Sequence, residues 1–312
     1  MRRIANASFE ECPVSLLIEF QLQLRQAAES TFVILCPSAD LRAHCIYCHH
    51  MPDLGNLIHI ARDDEGEIHV YEDTRFRYLT FGNHVEQSCL DLKDPVCLHH
   101  VYTQAMMLAV PLHPTARSAL LLGVGGGSLA RALRAAERHM HITGVEYRAA
   151  VLDTARGWFQ LPVDRRFDAV CDDADAFLQQ SEQSFDLIFA DLYLADGMYP
   201  RQTAGDFLQR CREHLTDDGI LVLNQWAGEY ATNHTALANL GAAFDGRVLN
   251  VYPQGGSIVS FAFRSGVPGL NPRAWFAAAQ ALGARLSIPL QQHARRLWQQ
   301  NAAVLRSGRL RR

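Results

Sequence analysis

Two hydrophobic periodicities divide the chain. Between Leu57 and Phe81 apolar and polar residues alternate in three short runs: Leu57-Ile58-His59-Ile60-Ala61-Arg62, Glu67-Ile68-His69-Val70-Tyr71 and Phe76-Arg77-Tyr78-Leu79-Thr80-Phe81. A period of two puts every second side chain on one face, as in a strand with one face buried. Asp63-Asp64-Glu65-Gly66 supplies a turn between the first two runs, and Gly82-Asn83 ends the third. The segment therefore predicts a small antiparallel sheet. Residues 95–110 read as a helix carrying Tyr102, Met106 and Met107, closed by Pro111 and Pro114. Before this region, residues 14–28 show helical amphipathicity and residues 32–36 a short strand.

Beyond Pro114 the rhythm becomes strand, helix, strand. Strand-like, mostly apolar runs at 119–122, 141–146, 167–171, 185–190 and 220–224 alternate with helical patterns at 128–139, 149–159 and 204–215. Such alternation predicts a parallel sheet covered by helices on both faces. Two further strands, 248–252 and 257–263, are joined by Tyr252-Pro253-Gln254-Gly255-Gly256-Ser257, too short for a helical crossover, so they must pair antiparallel. The expected organisation is an N-terminal extension without assigned role (1–56), a small β-sheet domain with a connecting helix (57–112), a Rossmann-like α/β domain (113–266) and a basic helical tail (267–312).

Composition narrows the function classes. Of 312 residues 48% are hydrophobic and 20% charged, which excludes wholesale disorder. No apolar run reaches the roughly 18–20 residues of a membrane span. Glu10 and Glu11 interrupt the basic start Met1-Arg2-Arg3 before any long apolar stretch, which reads against a secretory signal and for a cytoplasmic protein. The net charge of −4 is unevenly spread: no acid follows Asp245, and eight of the 29 basic residues lie between Arg273 and Arg312. The acidic remainder is no platform for nucleic acid, and the basic segment reads as a solvated helix face. Lys93, the single lysine, sits in a polar loop, which offers a Schiff-base mechanism no buried amine. The eight cysteines read as thiols. Cys45-Ile46-Tyr47-Cys48-His49 has the form of a haem-attachment motif, but with no visible export signal and no second Cys-x-x-Cys it reads as incidental, and no metal is expected.

The chemistry concentrates at Leu122-Gly123-Val124-Gly125-Gly126-Gly127-Ser128, which leaves a buried strand and opens a helix. Glycines allow a tight turn and close approach of a ligand. Glu146, 23 residues after Gly123 at the end of the next strand, can accept both hydroxyl protons of a ribose. Ser128 stands where a dinucleotide fingerprint has its last Gly or Ala, so a nicotinamide is disfavoured; G-x-G-x-G is the form used for S-adenosylmethionine. Asp173 and Ala174, ending the third strand, are placed for an adenine; Asp172 and Asp175 read as acids favoured at a helix N-terminus. Asp191 ends the fourth strand, where ligands of open α/β sheets sit, with Asp196 five residues on. The paired His49-His50 and His99-His100 read as ordinary histidines, the second pair adjacent on a helix.

Together with Tyr102-Thr103-Gln104-Ala105-Met106, Val145-Glu146 and Asp218-Gly219-Ile220-Leu221-Val222-Leu223-Asn224-Gln225-Trp226, these features make residues 57–264 resemble the spermidine synthase (polyamine aminopropyltransferase) family, with its class I S-adenosylmethionine-dependent methyltransferase fold. The resemblance implies a mostly parallel seven-stranded sheet with an antiparallel end hairpin, a homodimer, and no metal. It implies decarboxylated S-adenosylmethionine as donor and a small-molecule amine such as putrescine as acceptor. It makes Gly123, Gly125, Gly126, Gly127, Ser128, Glu146, Asp173 and Ala174 donor-binding, Asp191 catalytic, and Tyr102 and Asp196 acceptor-binding. Two departures bear on the reaction. The family's G-G-G-D-G run carries an Asp near the aminopropyl amine, and Ser128 replaces it here. The family's D-S-x-D-P run becomes Asp191-Leu192-Tyr193-Leu194-Ala195. Losing the first acid removes both an attraction for the decarboxylated donor and a repulsion of the intact one. Methyl transfer from intact S-adenosylmethionine to a small molecule is therefore the alternative, and a non-catalytic adenosine-ligand binder the second.

Overall fold

A computed structural model describes residues 54–83, 85–195, 197–226 and 230–307. The helix expected at 14–28, the strand at 32–36, the Cys45-x-x-Cys48-His49 cluster and Asp196 lie outside the described residues.

Strands β1 (Asn56–Asp63), β2 (Gly66–Glu72), β3 (Phe76–Thr80) and β4 (Glu86–Asp91) form an antiparallel meander in sequence order. Alternation predicts only the first three. β4 escapes it because its register with β3 steps from Leu79↔Ser88 to Thr80↔Glu86, leaving Gln87 as an extra residue. Such a bulge re-aims the side chains on one side of it. Glu86 thereby shares a sheet face with Cys89 and Tyr78, while Ser88 and Leu90 share the other. That second face is apolar: Ile68, Val70, Leu79 and Leu90 are fully buried against Val151 and Phe159.

The helix expected from residue 95 starts only at α1 (Val101–Met106) and is followed by α2 (Ala109–Leu112). Asp91 Oδ1 accepts the backbone N–H groups of Lys93 and Asp94 at 2.9 and 3.3 Å, holding the chain in a turn. His100 is extended (φ −73°, ψ 130°) and caps α1. His99 and His100 thus precede the helix, a correction to their expected place on it.

The remaining elements are β5 (Ser118–Leu122), α3 (Ser128–Ala136), β6 (His141–Glu146), α4 (Ala149–Trp158), β7 (Phe167–Cys171), α5 (Ala174–Gln180), β8 (Phe185–Ala190), the short hairpin β9 (Tyr193–Leu194) and β10 (Gly197–Met198), α6 (Gly205–Glu213), β11 (Leu215–Trp226), α7 (Tyr230–Ala243), β12 (Val248–Val251), β13 (Ser257–Phe263), α8 (Pro272–Arg285) and α9 (Leu290–Ser307). The large sheet has the order β12-β13-β11-β8-β5-β6-β7, with β13 antiparallel to both neighbours and all other pairs parallel. This is the doubly wound sheet with an antiparallel end that the alternating runs predict. In the central strands consecutive apolar residues occur because both faces are covered: Leu120, Leu122, Ile188, Ala190, Leu221 and Leu223 enter one core, and Ala119, Leu121, Leu187, Phe189 and Val222 the other. β5 lies between β6 and β8, so the chain leaves it in one direction and returns on the other side. Ligands of open α/β sheets sit beyond the strand ends at such a reversal, here beside Gly123 and Asp191.

Helices α8 and α9 bury Trp275, Leu282, Leu290, Leu297 and Leu305 in the core that holds Ala119 and Phe189. Arg273, Arg285, Arg295 and Arg306 face outward. Among the described residues no helix is long and apolar enough to cross a membrane.

His293 of α9 is buried among these helices, its Nε2 3.3 Å from Gln104 Oε1 on α1. Burial, reinforced by Arg296, pushes its pKa down to about 4 from 6.5. A histidine buried neutral must charge in acid, so the unfolded chain binds the extra proton first. Stability is expected to fall as pH drops from about 6.5 towards 4, by up to about 3 kcal/mol. Urea unfolding of His293→Gln against the parent at pH 7 and pH 4.5 measures this; an equal pH dependence in both would sink the assignment.

Candidate active site

The crevice is built by backbone geometry before any side chain. Gly123 N donates to Val145 O at 2.9 Å, and Asp191 N donates to Leu122 O at 3.0 Å, so the ends of β5, β6 and β8 converge. Gly123 has φ +89°, and a Cβ built on it would fall 2.5 Å from the Asp191 carbonyl oxygen. The glycine here is demanded by the neighbouring strand. The same holds at Gly126, whose Cβ would meet the Ser88 Cβ at 2.7 Å. The turn seats on β4: Gly126 N donates to Ser88 Oγ at 2.9 Å, and Ser128 Oγ donates to Cys89 O at 3.2 Å. Ser128 is thus tied to the small sheet.

Beneath the turn lies Arg131, buried in α3 and donating to the carbonyls of Pro95, Gly126 and Phe159 at 2.9, 2.5 and 2.5 Å. Burial lowers its pKa to about 10, still cationic at neutral pH. Arg131 and Ser88 brace the glycine turn, and neither announces itself in sequence, because the carbonyls it binds are not encoded by residue type.

Glu146 closes the other side. Its Oε2 accepts Val124 N and Gly125 N, both at 3.1 Å, and Oε1 accepts Arg148 N at 3.2 Å. Backbone donors hold the carboxylate beside the turn; Oε2 has both lone pairs engaged, and Oε1 keeps one for a further donor. Asp173 is the N-cap of α5, its Oδ1 accepting Asp175 N and Ala176 N at 2.9 Å each. Asp175 lies in the first turn of α5, the helix N-terminal place expected of it. It also pairs with Arg201 and Arg210 at 2.6 and 2.5 Å, and these arginines hold its carboxyl below the usual range despite burial. Ala174 is buried behind the cap.

Asp191 lies on the opposite side of Gly123 from Glu146. Its Oδ1 accepts Asn224 Nδ2 at 2.9 Å, and its Oδ2 accepts the Tyr102 hydroxyl at 3.2 Å. Asn224 Nδ2 also donates to the Tyr193 hydroxyl at 3.2 Å. Burial raises the Asp191 pKa, against the two hydrogen bonds and the charge of His100, which lower it. Burial beside that carboxylate raises both tyrosines. Asn224 Oδ1 is buried without a hydrogen-bond donor, a costly state that a cationic or N–H donor would relieve. The loop after Asp191 is pinned by Gln202, fully buried, whose Oε1 accepts Leu192 N at 3.0 Å and whose Nε2 donates to Asn224 O at 3.2 Å. Tyr102 and Asp191, 89 residues apart, meet here. Asn224 and Tyr193 join them, and the pairing of β8 with β11 brings Asn224 to Asp191.

A family described as "Methyltransferase domain" matches residues 119–219. The chain is 28% identical over 239 residues to the polyamine aminopropyltransferase of Chromobacterium violaceum, spanning 75% of this chain and 90% of that one. A probable spermidine synthase from Corynebacterium glutamicum superposes with a TM-score of 0.62 at 18% identity, over 74% of this chain and 87% of that chain. Human Methyltransferase-like protein 13, solved in complex with SAH, superposes with a TM-score of 0.54 at 21% identity, over 61% and 94% of the two chains.

Proposed function

We propose that this spermidine-synthase-like transferase, with its class I S-adenosylmethionine-dependent methyltransferase fold, moves an aminopropyl group from decarboxylated S-adenosylmethionine to a small amine such as putrescine. The observation that carries the reading is the buried carboxylate of Asp191, flanked by Tyr102 and by the donor-less Asn224 Oδ1, at the mouth of the glycine turn. A small cluster of oxygens at a strand end, one of them ionisable, suits an ammonium ion.

The residues divide the work by side of the turn. Glu146 takes a ribose hydroxyl on Oε1, Asp173 and Ala174 flank the adenine, and the turn from Gly123 to Ser128 lies against the chain between them. The acceptor amine, with a pKa near ~10, arrives protonated at neutral pH and cannot attack carbon until it loses a proton. Asp191 binds the ammonium, turns its nitrogen towards the carbon next to the sulfonium, and takes that proton. Nitrogen forms its bond to carbon as the carbon–sulfur bond breaks, and methylthioadenosine leaves. Tyr102 and Asn224 fix the carboxylate, so that positioning is built in before the substrate binds.

Methyl transfer is the second reading, favoured by one observation: the hydroxyl of Ser128 is bound to Cys89 O, and that position carries no acid to read the donor's amine or repel a carboxylate. Calorimetric titration with each donor separates the two. Decarboxylated S-adenosylmethionine is expected to bind at least tenfold more tightly than the intact form, about 1.4 kcal/mol. Preference for the intact donor would move the assignment to methyl transfer, and binding of neither would remove the donor altogether.

A further inference from the structure

Behind Tyr102, on the face of the small sheet turned away from its apolar core, three side chains of metal-binding type converge. A carboxylate oxygen of Glu86, the thiol of Cys89 and a ring nitrogen of His99 all lie within 4.8 Å of one another. The bulge at Gln87 makes this possible: with regular pairing Glu86 and Cys89, three residues apart, would point to opposite faces. His99 comes from the extended stretch that enters α1, so the cluster joins β4 to the helix bearing Tyr102. Cys89 is buried and His99 exposed, which gives a buried floor and an access route.

Two observations point to a cation. Glu86 is half-buried, with its Oε1 out of solvent beside His100 Nε2 at 2.8 Å and its carboxyl held below the usual range by His100 and His99 against burial, so it faces the thiol of Cys89 as a carboxylate. The ligand chemistry is also mixed: a thiolate, an imidazole and a carboxylate are the three donors that zinc accepts. His100 supplies the outer partner that a ligating carboxylate commonly has, and its ring stacks on Tyr102 with centroids 5.6 Å apart.

We propose that Glu86, Cys89 and His99 form a binding site for a borderline divalent cation, zinc(II), that staples β4 to the start of α1. Three protein ligands leave the fourth tetrahedral position to water. The cation stands behind the wall of the acceptor site and tethers the segment from which Tyr102 reaches Asp191; it takes no part in group transfer.

Cobalt(II) is the probe, because a cobalt–thiolate bond gives a charge-transfer band in the near ultraviolet. The full chain is stripped with chelator and titrated with cobalt(II), alongside Cys45→Ser/Cys48→Ser, His99→Ala and Cys89→Ser variants. One equivalent with a thiolate band is expected in the parent and in the Cys45→Ser/Cys48→Ser protein. His99→Ala, an exposed change that leaves the core intact, is expected to weaken binding at least tenfold, and Cys89→Ser to abolish the band. Zinc(II) is expected to displace the cobalt and to raise the melting temperature of the parent more than that of His99→Ala. A band that vanishes in the Cys45→Ser/Cys48→Ser protein, or equal affinity in the parent and His99→Ala, overturns the site.

Discussion

Asp191→Asn is expected to lower the turnover of aminopropyl transfer by about 10²–10⁴-fold while leaving the fold intact. Asparagine has the shape of aspartate and can still meet both neighbours. Its oxygen accepts Asn224 Nδ2, and its amide donates to a Tyr102 hydroxyl that has rotated to accept. What disappears is the negative charge that binds the ammonium and the lone pair that takes its proton. The pH profile distinguishes this from a packing effect. Burial raises the Asp191 pKa, so the rate in the parent enzyme rises with pH as that carboxyl ionises. In Asp191→Asn this acid limb is expected to vanish. Tyr102→Phe removes one hydrogen bond to the same carboxylate and is expected to cost only about tenfold. An Asp191→Asn enzyme within tenfold of the parent, with its acid limb unchanged, would assign the proton transfer elsewhere.

Gly123→Ala is expected to damage both the fold and the site. The position sits at φ +89°, where a side chain costs about 1–2 kcal/mol in its own backbone. The new Cβ falls 2.5 Å from the Asp191 carbonyl oxygen, so one strand end must retreat. A total near 3 kcal/mol corresponds to a loss of melting temperature of about 6–12 °C. Activity is expected to fall further than stability alone requires, because the displaced atom belongs to Asp191, the residue proposed to take the acceptor's proton. Gly157→Ala is the control: its Cβ meets nothing within 4 Å, and it lies inside α4. Scanning calorimetry showing equal melting temperatures for both variants would contradict the close packing of the two strand ends.

Why the strands and the turn were readable, and the rest of the site was not, follows from the physics of each. Strands β7, β8 and β13 end where the mostly apolar runs end, and the single polar residues inside them, Asp168, Asp186 and Ser260, do not break the pattern. β4 was hidden because its bulge breaks the alternation that identifies a strand, and the same bulge creates the Glu86–Cys89 pairing. The helix expected from Pro95 was delayed to Val101 by the Asp91 side chain binding the backbone of the turn, a local competition that periodicity does not register. Asp191, Tyr102 and Glu146 could be picked out by residue type at a strand or helix position. Arg131 and Gln202 could not: each acts by donating to, or accepting from, backbone groups brought near by the fold. The glycines were legible as a turn but for an incomplete reason. At Gly123 and Gly126 the space is taken by Asp191 and Ser88, so the chain itself requires glycine there whatever binds beside it.

The most direct test of the proposed reaction is the nucleoside released in a single turnover. The enzyme is mixed with both donors, intact and decarboxylated, and with putrescine, and the products are separated and weighed by mass spectrometry. Aminopropyl transfer predicts methylthioadenosine and spermidine in equal amounts, both suppressed in Asp191→Asn. S-adenosylhomocysteine with a methylated amine, or no nucleoside product from either donor, would contradict it.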